Sequence, residues 1–453
     1  MTPPISRGRA EDAASFLLRR AKEKGAAGAD VLYTFRSGQS LALCDGKPEK
    51  DSSGTSIAVG LRTIDREGRQ GVAHSNSLDR EFLENIVEWS LQNCSSSEAD
   101  PHIFLADGPL ADLPDLDLTD SSLSGITGEQ RMAWCKEMDE VARASDPRVL
   151  SVRSASWSDG GGEVLYASTS GVSGWYGGTS GACGLAVIMQ DGEAMEMGGY
   201  GEESRSLAGL SPARTAREAV RRTALILGGE PLDTGRYDLL LDGEAASSLI
   251  DVLGELFLAS AIHKNTSLLK GKMGKKVASS SMTLTDDGLL RRGLGSAPFD
   301  GEGVPCRTTR ILSDGVVEGW LYNLKYASLY GTASTGNADR SASSVPDVAC
   351  SNLSLSPGPW SREDMLLQIA KGLYVTEFLG LHTINPVSGD YSVGIKGASI
   401  EGGEIGVPFS GMTIAGNLKD FLFSVDLVGK DFAFYGSTGA SSMLVRDIAA
   451  AGR

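Results

Sequence analysis

Histidine is scarce in this chain of 453 residues, which contains only His74, His102, His263 and His382. No two of them stand one helical turn apart. A zinc hydrolase needs two imidazoles at that spacing, because both nitrogens must reach the same ion. The sequence therefore argues against a zinc site of the common helical type, and each histidine is better explained as a turn, cap or core residue.

Cysteine is sparse too, and the six residues stand more than forty positions apart. This spacing gives neither the disulfide framework of a small secreted domain nor a Cys-x-x-Cys zinc pattern. Reduced, mostly buried thiols in a cytoplasmic protein are the expectation. No segment reaches the roughly 18 uninterrupted apolar residues of a membrane-spanning helix, and residues 1–10 lack the apolar run of a secretory signal.

Positive charge is in deficit: 42 Lys and Arg stand against 58 Asp and Glu, a net charge of −16. An acidic surface repels phosphate backbones and anionic lipids, so we expect no direct binding of nucleic acid or membrane. Common catalytic motifs are also missing. Residues 171–174 lack the spacing of a Gly-x-Ser-x-Gly elbow, and Leu269 stands where a phosphate-binding loop ending in Gly274-Lys275 needs glycine.

Glycine is abundant, with 57 residues, against an average near 7%. Without a collagen period, this abundance indicates many turns and hairpins. Helical and alternating patterns predict a multi-domain α+β fold: two N-terminal α+β units and a larger β-rich C-terminal domain with flanking helices. In the second unit, Gly160-Gly161-Gly162 predicts a turn between two strands. Hairpins are predicted at Asp314-Gly315 and at residues 401–404.

The chain divides by these patterns into three domains and a connection. Residues 95–130 contain no Lys or Arg, are rich in acidic residues and hold three prolines, which is typical of a linker or a segment lying on the surface. The predicted boundaries are 1–95 for the N-terminal α+β domain, 96–128 for the acidic linker, 129–230 for the second α+β domain and 231–453 for the C-terminal domain.

Several sequence motifs together resemble the TldD/PmbA family, the so-called modulators of DNA gyrase. The resemblance covers most of the chain in order and is most specific in the C-terminal half. The motifs are residues 59–62 (Val-Gly-Leu-Arg) and 68–71 (Gly-Arg-Gln-Gly), 267–279 (Ser-Leu-Leu-Lys-Gly-Lys-Met-Gly-Lys-Lys-Val-Ala-Ser), 284–288, 298–305 (Pro-Phe-Asp-Gly-Glu-Gly-Val-Pro), 334–337 (Ser-Thr-Gly-Asn), 385–390 (Asn-Pro-Val-Ser-Gly-Asp) and 414–417 (Ile-Ala-Gly-Asn).

The resemblance implies where a family zinc site would stand. TldD-like members carry His-Glu-x-x-x-His on the first helix of the C-terminal domain. Alignment from the downstream motifs places Ile250 and Glu255 at the two histidine positions, and alignment from the upstream strand places Asp251 and Leu256 there. Neither register leaves a histidine, so the resemblance implies no zinc and no catalytic residue in this chain.

The missing histidines and the motif forms match the PmbA branch, also called TldE. Such members are regarded as partner subunits of TldD, which supplies the zinc, and the pair encloses a chamber in which extended peptides are cleaved. The resemblance thus implies a non-catalytic, cytoplasmic subunit with a TldD-like partner and a peptide or unfolded small-protein substrate. An exposed strand edge binds an extended peptide through its backbone.

Two alternatives remain open. One is a stand-alone metal-dependent peptidase with a carboxylate-rich site formed by Asp251, Glu255 and His263, which would favour Mg or Mn over Zn. The other is a peptide-binding homodimer without a protease partner. The family's link to gyrase finds no support in an acidic chain. Whether the chain is itself an enzyme is left undecided by the sequence.

Overall fold

The computed structural model describes residues 6–453. They form an α+β protein with a β-rich C-terminal part, which confirms the predicted fold class. The helices are α1 Arg7–Glu23, α2 Arg80–Ser95, α3 Ser121–Ser124, α4 Gly128–Ser145, α5 Pro212–Ile226, α6 Gly243–Glu255, α7 Ala259–Lys264, α8 Leu324–Tyr330, α9 Arg362–Leu366 and α10 Leu418–Phe423, with 3-10 turns at Leu207–Gly209 and Leu381–Thr383. In the described part of the chain, no helix is long and apolar enough to cross a membrane.

Twenty strands accompany these helices in the described residues. They are β1 Gly28–Cys44, β2 Lys47–Ile64, β3 Gln70–Ser75, β4 Val149–Ser168, β5 Ser173–Asp191, β6 Ala194–Ser204, β7 Gly235–Leu241, β8 Leu284–Asp287, β9 Thr308–Ser313, β10 Val316–Val317, β11 Ala338–Asp339, β12 Asp347–Val348, β13 Leu353–Leu355, β14 Lys371–Leu379, β15 Asp390–Glu401, β16 Glu404–Asn417, β17 Val425–Val428, β18 Ala433–Tyr435, β19 Thr438–Ala440 and β20 Met443–Ala451.

The two N-terminal units share one antiparallel sheet, with strand order β3-β2-β1-β4-β5-β6. In β1, Tyr33 is buried against α1 and α2, whereas Leu41 is buried against α4 and α5. Side chains an even number of positions apart point to the same face of a strand. Both helix pairs therefore cover one face of the sheet at its two ends, and the opposite face is turned toward the C-terminal part.

The predicted turn at Gly160-Gly161-Gly162 is wrong, because these residues lie in the middle of the continuous strand β4. A Cβ atom at Gly160 would lie 2.3 Å from the Ser37 carbonyl oxygen, and one at Gly162 would lie 2.6 Å from that of Phe35. Those distances are far inside van der Waals contact. The glycines allow β1 and β4 to approach closely, rather than reversing the chain.

The acidic segment lies against both parts of the protein. Asp100 pairs with Lys325, and Asp117 pairs with Arg291 and Arg292 of the C-terminal part. Asp120 accepts hydrogen bonds from the backbone of Ser122 and Leu207. The segment is therefore attached to the surface of the protein. The domain boundaries given above remain a prediction.

The C-terminal part consists of two main sheets around a common core. One has the order β16-β15-β14-β7-β20-β17, and pairing of β16 with β20 closes it on itself. The other has the order β10-β9-β8-β13-β19-β18. Helix α6 packs on both sheets. The predicted hairpins at Asp314-Gly315 and at residues 401–404 are confirmed by the pairs β9–β10 and β15–β16.

Candidate functional site

Helix α6 carries the positions at which the family zinc motif was expected. Asp242 caps the helix, since its Oδ1 accepts a hydrogen bond from the Ala245 backbone nitrogen at 2.8 Å. Ile250 on α6 and Leu256 just after it are buried in the C-terminal core, with 0% and 3% of their surface exposed. Asp251 and Glu255 stand one turn apart on the exposed side. Thr438 donates a hydrogen bond to Asp251 at 3.0 Å.

His263 lies near the end of α7 and is exposed. Its ring stands 5.8 Å from the ring of Tyr326. Asp251, Glu255 and His263 are not brought together as a ligand set, because residues 6–453 contain no group of three His, Cys, Asp or Glu side chains arranged to hold a metal ion. The carboxylate-rich site of the alternative hypothesis is thus not assembled in this structure.

The residues of α6 do not fit a zinc ion of the family type. Zinc prefers imidazole and thiolate ligands in tetrahedral arrangement. In either alignment register, one of the two histidine positions is occupied by a buried apolar side chain, Ile250 or Leu256. The remaining position offers a single carboxylate, Glu255 or Asp251. One carboxylate and one aliphatic side chain cannot replace two imidazoles, so no chemical step is assigned to zinc held by this helix.

A buried network of charges joins the N-terminal sheet to the C-terminal part. Arg62 donates to Asp30 through Nε at 3.0 Å and Nη2 at 2.5 Å, and its Nη1 stands 3.3 Å from Glu302 Oε1. Arg340 donates to the other Asp30 oxygen at 2.6 Å. The Tyr166 hydroxyl donates to Asp30 at 3.3 Å. Two arginines and two carboxylates thus balance one another without water contact.

This network shifts the ionisation of its members. Burial alone would raise the pKa of Asp30, but Arg340 and Arg62 outweigh it and lower that pKa. Burial raises the pKa of Glu302 in spite of Arg62. Burial, reinforced by Glu302, raises the pKa of the neighbouring Asp300 to about 7. The carboxylates at this boundary between sheet and C-terminal part therefore titrate over very different pH ranges.

Two of the sequence motifs meet in this network. Arg62 belongs to the motif at residues 59–62, and Glu302 to the motif at 298–305. A Cβ at Gly60 would lie 1.9 Å from the Ala342 carbonyl oxygen, so the glycine allows the two parts to touch. Asp30 and Arg340 were not predicted as site residues, because their partners are distant along the chain. The one indication in the sequence was that Asp30 is a charged residue within the apolar pattern of a buried strand.

Two neighbouring cavities lie on the uncovered face of the N-terminal sheet, and the smaller one extends to the C-terminal part. The larger one, of about 740 Å³, runs over the middle of β1, β2, β4 and β5. The second, of about 390 Å³, lies between the sheet and the loops that contain Ser296, Asn337 and Ser351. Arg36, Tyr176 and Arg205 are the residues that line both. A groove of this size can hold a segment of polypeptide.

All six cysteines are unpaired. Four of them, Cys94, Cys135, Cys183 and Cys306, are buried. Burial raises the pKa of Cys135 to about 12. A thiol in that state is a poor nucleophile and a poor metal ligand, because both roles need the thiolate.

Comparison with known protein families identifies the fold. Three family models match in order: PmbA/TldA metallopeptidase domain 1 over residues 29–94, the central domain over 121–227 and the C-terminal domain over 234–452. This chain belongs to the PmbA/TldD metallopeptidase family. The predicted resemblance is therefore confirmed, and the chain is a PmbA-like member of that family.

Similar proteins span nearly the whole chain. Metalloprotease PmbA of Escherichia coli O157:H7 is 27% identical over 446 residues, which cover 98% of this chain and 96% of that protein. A PmbA homologue of Haemophilus influenzae is 26% identical over 96% of this chain and 94% of its own length. A TldD homologue from the same organism is 26% identical over 88% and 85%.

Solved structures share the fold as well. The crystal structure of a proposed modulator of a DNA gyrase from Thermotoga maritima has a TM-score of 0.89 and 26% identity, and covers 97% of this chain and 100% of its own. The structure of TldE from Thermococcus kodakarensis has a TM-score of 0.87 at 21% identity, with coverage of 97% and 100%. The latter identity supports the fold alone.

Proposed function

We propose that this chain is the non-catalytic subunit of a cytoplasmic metalloprotease whose zinc-bearing subunit is TldD-like. The observation that carries this proposal is the composition of helix α6. Whichever register is used, one histidine position is filled by a core side chain, Ile250 or Leu256, and the other by a lone carboxylate. Catalysis by zinc would then depend on the partner, and this subunit would hold no metal itself.

Its role would be to bind and enclose extended peptides for degradation or precursor processing. Two features support this role. The two cavities on the uncovered face of the N-terminal sheet offer room for a polypeptide. Strand β6 ends the N-terminal sheet in the described residues, and exposes Met195 and Met197. An edge strand can pair with an extended peptide through backbone hydrogen bonds, with little dependence on sequence.

The partner is inferred from the two kinds of protein that the family contains. The family contains both PmbA-like and TldD-like proteins, and a PmbA-like chain without zinc ligands needs the other kind for hydrolysis. We place the complex in the cytoplasm, where six unpaired thiols remain reduced.

The test is cleavage of an unfolded peptide by this chain alone, by a TldD-type protein alone, and by the mixture, together with zinc analysis of each. We expect this chain alone to be inactive and to hold no stoichiometric metal. The mixture should cleave faster than the TldD-type protein alone, and the two chains should elute together.

Two results would contradict the proposal. Cleavage by the isolated chain with bound metal would favour an independent peptidase, and Asp251, Glu255 and His263 would be the first residues to replace. Failure of the two chains to associate, combined with peptide binding by a dimer of this chain, would favour the homodimer.

A further inference from the structure

The junction of the two cavities has an unusual set of side chains. Arg36 extends from β1, Tyr176 from β5, and Arg205 follows directly after β6. Tyr176 packs edge-on against Phe299, with ring centres 5.1 Å apart. Strands β1 and β5 and the segment after β6 thus carry these groups, a loop of the C-terminal part packs against them, and they line both cavities.

The two arginines carry charge that the chain does not neutralise. Arg205 donates to the backbone carbonyls of Gly293 at 2.8 Å, Leu294 at 2.7 Å and Thr179 at 3.4 Å. These bonds use three of its five N–H groups. Over residues 6–453, neither Arg205 nor Arg36 forms an ion pair, although thirty other pairs are present. Desolvation lowers the pKa of Arg205 and outweighs the opposing influence of Tyr176 and Glu203, as expected for a half-buried cation that forms no ion pair.

A third arginine lines the smaller cavity. The side chain of Arg340 is 0% exposed, and its Nη1 donates to Asp30. Its Nε and Nη2 are buried and have no hydrogen-bond partner within the described residues. Buried donors are normally satisfied, so the three free N–H groups on these two nitrogens point to a missing acceptor.

The acidic residues that line the cavities do not supply that acceptor. The Asp300 carboxylate is occupied by the backbone N–H groups of Glu302, Val304 and Ala338. Glu203 and Asp339 are exposed and, within residues 6–453, form no ion pair with an arginine. The Asp159 carboxylate, which also lines the larger cavity, accepts hydrogen bonds from Arg131 on both of its oxygens. The positive charge at the junction thus remains available to a ligand.

The tyrosine adds a neutral donor. Burial raises the pKa of Tyr176 to about 12, so its hydroxyl stays protonated at neutral pH. That hydroxyl has no hydrogen-bond partner within residues 6–453. A protonated phenol beside two guanidinium groups is a donor set suited to a carboxylate, which accepts hydrogen bonds through two oxygens.

The floor of the larger cavity places little restriction on a bound chain. Its middle consists of glycine, serine and alanine contributed by four neighbouring strands, so no large side chain rises from it. The register aligns Gly54 with Gly38, Gly160 and Ser180 across the sheet, and Ser52 with Ser40, Ser158 and Ala182. Peptides with different side chains would fit such a floor equally well.

We propose that Arg36 and Arg205, together with Tyr176, bind a carboxylate of the substrate peptide and thereby anchor the peptide in the larger cavity. The proposal rests on the peptide-binding role proposed above and names its recognition element. The carboxylate is the peptide's C-terminus or an acidic side chain. Because the rest of the cavity floor is bare, this charge would be the main feature of the peptide that this subunit selects.

The test is calorimetric titration of the full chain with three N-acetylated peptides of alanine, glycine and serine. One has a free C-terminal carboxylate, one is amidated, and one is amidated but carries an internal glutamate. We expect the amidated neutral peptide to bind about tenfold more weakly than at least one of the acidic peptides, as for loss of a charge-assisted hydrogen bond. Comparison of the two acidic peptides identifies which carboxylate is bound.

Arg36→Gln is the decisive variant, because Arg36 is exposed and its side chain forms no hydrogen bond or ion pair within residues 6–453. We expect Arg36→Gln to lower the ratio of the affinities for the acidic and the neutral peptide to about threefold or less. A ratio of that size corresponds to a single weak hydrogen bond. Arg217→Gln is the matched control, since Arg217 is exposed on α5, outside both cavities, and forms no ion pair in the described residues. It should leave the preference unchanged.

The proposal is overturned if wild-type protein binds the neutral and acidic peptides equally, binds none of them, or if Arg36→Gln retains the full preference. The assay uses this chain alone and requires no cleavage. Failure of carboxylate recognition is therefore a separate result from failure of proteolysis with a TldD-type partner.

Discussion

Asp30 is the centre of the buried charge network, and its replacement by asparagine should destabilise the protein strongly. The side chain is 0% exposed and accepts hydrogen bonds from Arg62, Arg340 and Tyr166. In the wild type, two arginines face two carboxylates. Asp30→Asn keeps the shape but leaves one uncompensated positive charge in a site closed to water.

The expected cost follows from that charge. Removing one partner of a buried ion pair typically costs about 3–5 kcal/mol, because the remaining charge stays desolvated. Arg340→Met should cost a comparable amount, since it leaves one extra negative charge. The double variant is neutral again, with Arg62 still facing Glu302 at 3.3 Å. Its cost should therefore be clearly smaller than the sum of the two single costs.

Urea unfolding of the four proteins measures these free energies. Asp51→Asn is the matched control, because Asp51 is exposed on β2 and forms no ion pair in the described residues. It should change the free energy of unfolding by less than about 0.5 kcal/mol. Hydrogen exchange should also show faster opening around residues 298–305 in Asp30→Asn, since the network holds that loop against the sheet.

A cost for Asp30→Asn below about 1 kcal/mol would refute this account, because such a value belongs to an exposed ion pair. Additive costs of Asp30→Asn and Arg340→Met would refute the claim that the two charges compensate each other.

Three further predictions concern pH, packing and thiols. Asp300, with a pKa near 7 when folded and 3.8 as its ordinary value, binds a proton in the folded state that the unfolded chain has released. The contribution of Asp300 to stability should therefore fall by on the order of 1 kcal/mol per pH unit between about pH 4 and pH 7, and in urea titrations Asp300→Asn should lose that contribution, so that the difference in stability between wild type and variant changes with pH over this range; a difference independent of pH would contradict the assignment. Gly160→Ala should cost about 1–3 kcal/mol, because its Cβ would overlap the Ser37 carbonyl, whereas Gly54→Ala, whose Cβ meets nothing, should be nearly neutral; equal melting temperatures would contradict the close approach of β1 and β4. In native protein, iodoacetamide should modify half-buried Cys44 well before buried Cys135, and mass spectrometry showing the reverse order would contradict the buried environment of Cys135.

Local patterns predicted the elements whose causes are local. The hairpins at Asp314-Gly315 and at residues 401–404 are the examples, since each was predicted from its turn residues alone. The Asp314-Gly315 turn follows from the left-handed backbone that both residues adopt. Such features depend on a few neighbouring residues, so a single sequence contains the information that determines them.

Features that depend on distant parts of the chain could not be predicted in this way. Gly160 resembles a turn residue, and only its contact with Ser37, more than a hundred positions away, explains its place within a strand. Arg340 and Asp30 are separated by 310 positions. Their pairing decides how the N-terminal sheet meets the C-terminal part. The candidate zinc positions were found through family resemblance, whereas burial of Ile250 and Leu256 required the structure.

The most direct test of the central claim asks which subunit supplies the catalytic zinc. Peptide cleavage should be measured for a complex of this chain with a TldD-type protein, with substitutions in one subunit at a time. We predict that Asp251→Asn and Glu255→Gln in this chain leave the cleavage rate within about twofold of wild type, whereas replacing the glutamate of the partner's His-Glu-x-x-x-His motif abolishes cleavage. Loss of cleavage on replacing Asp251 or Glu255, with zinc retained by the partner, would contradict the claim that this chain is non-catalytic.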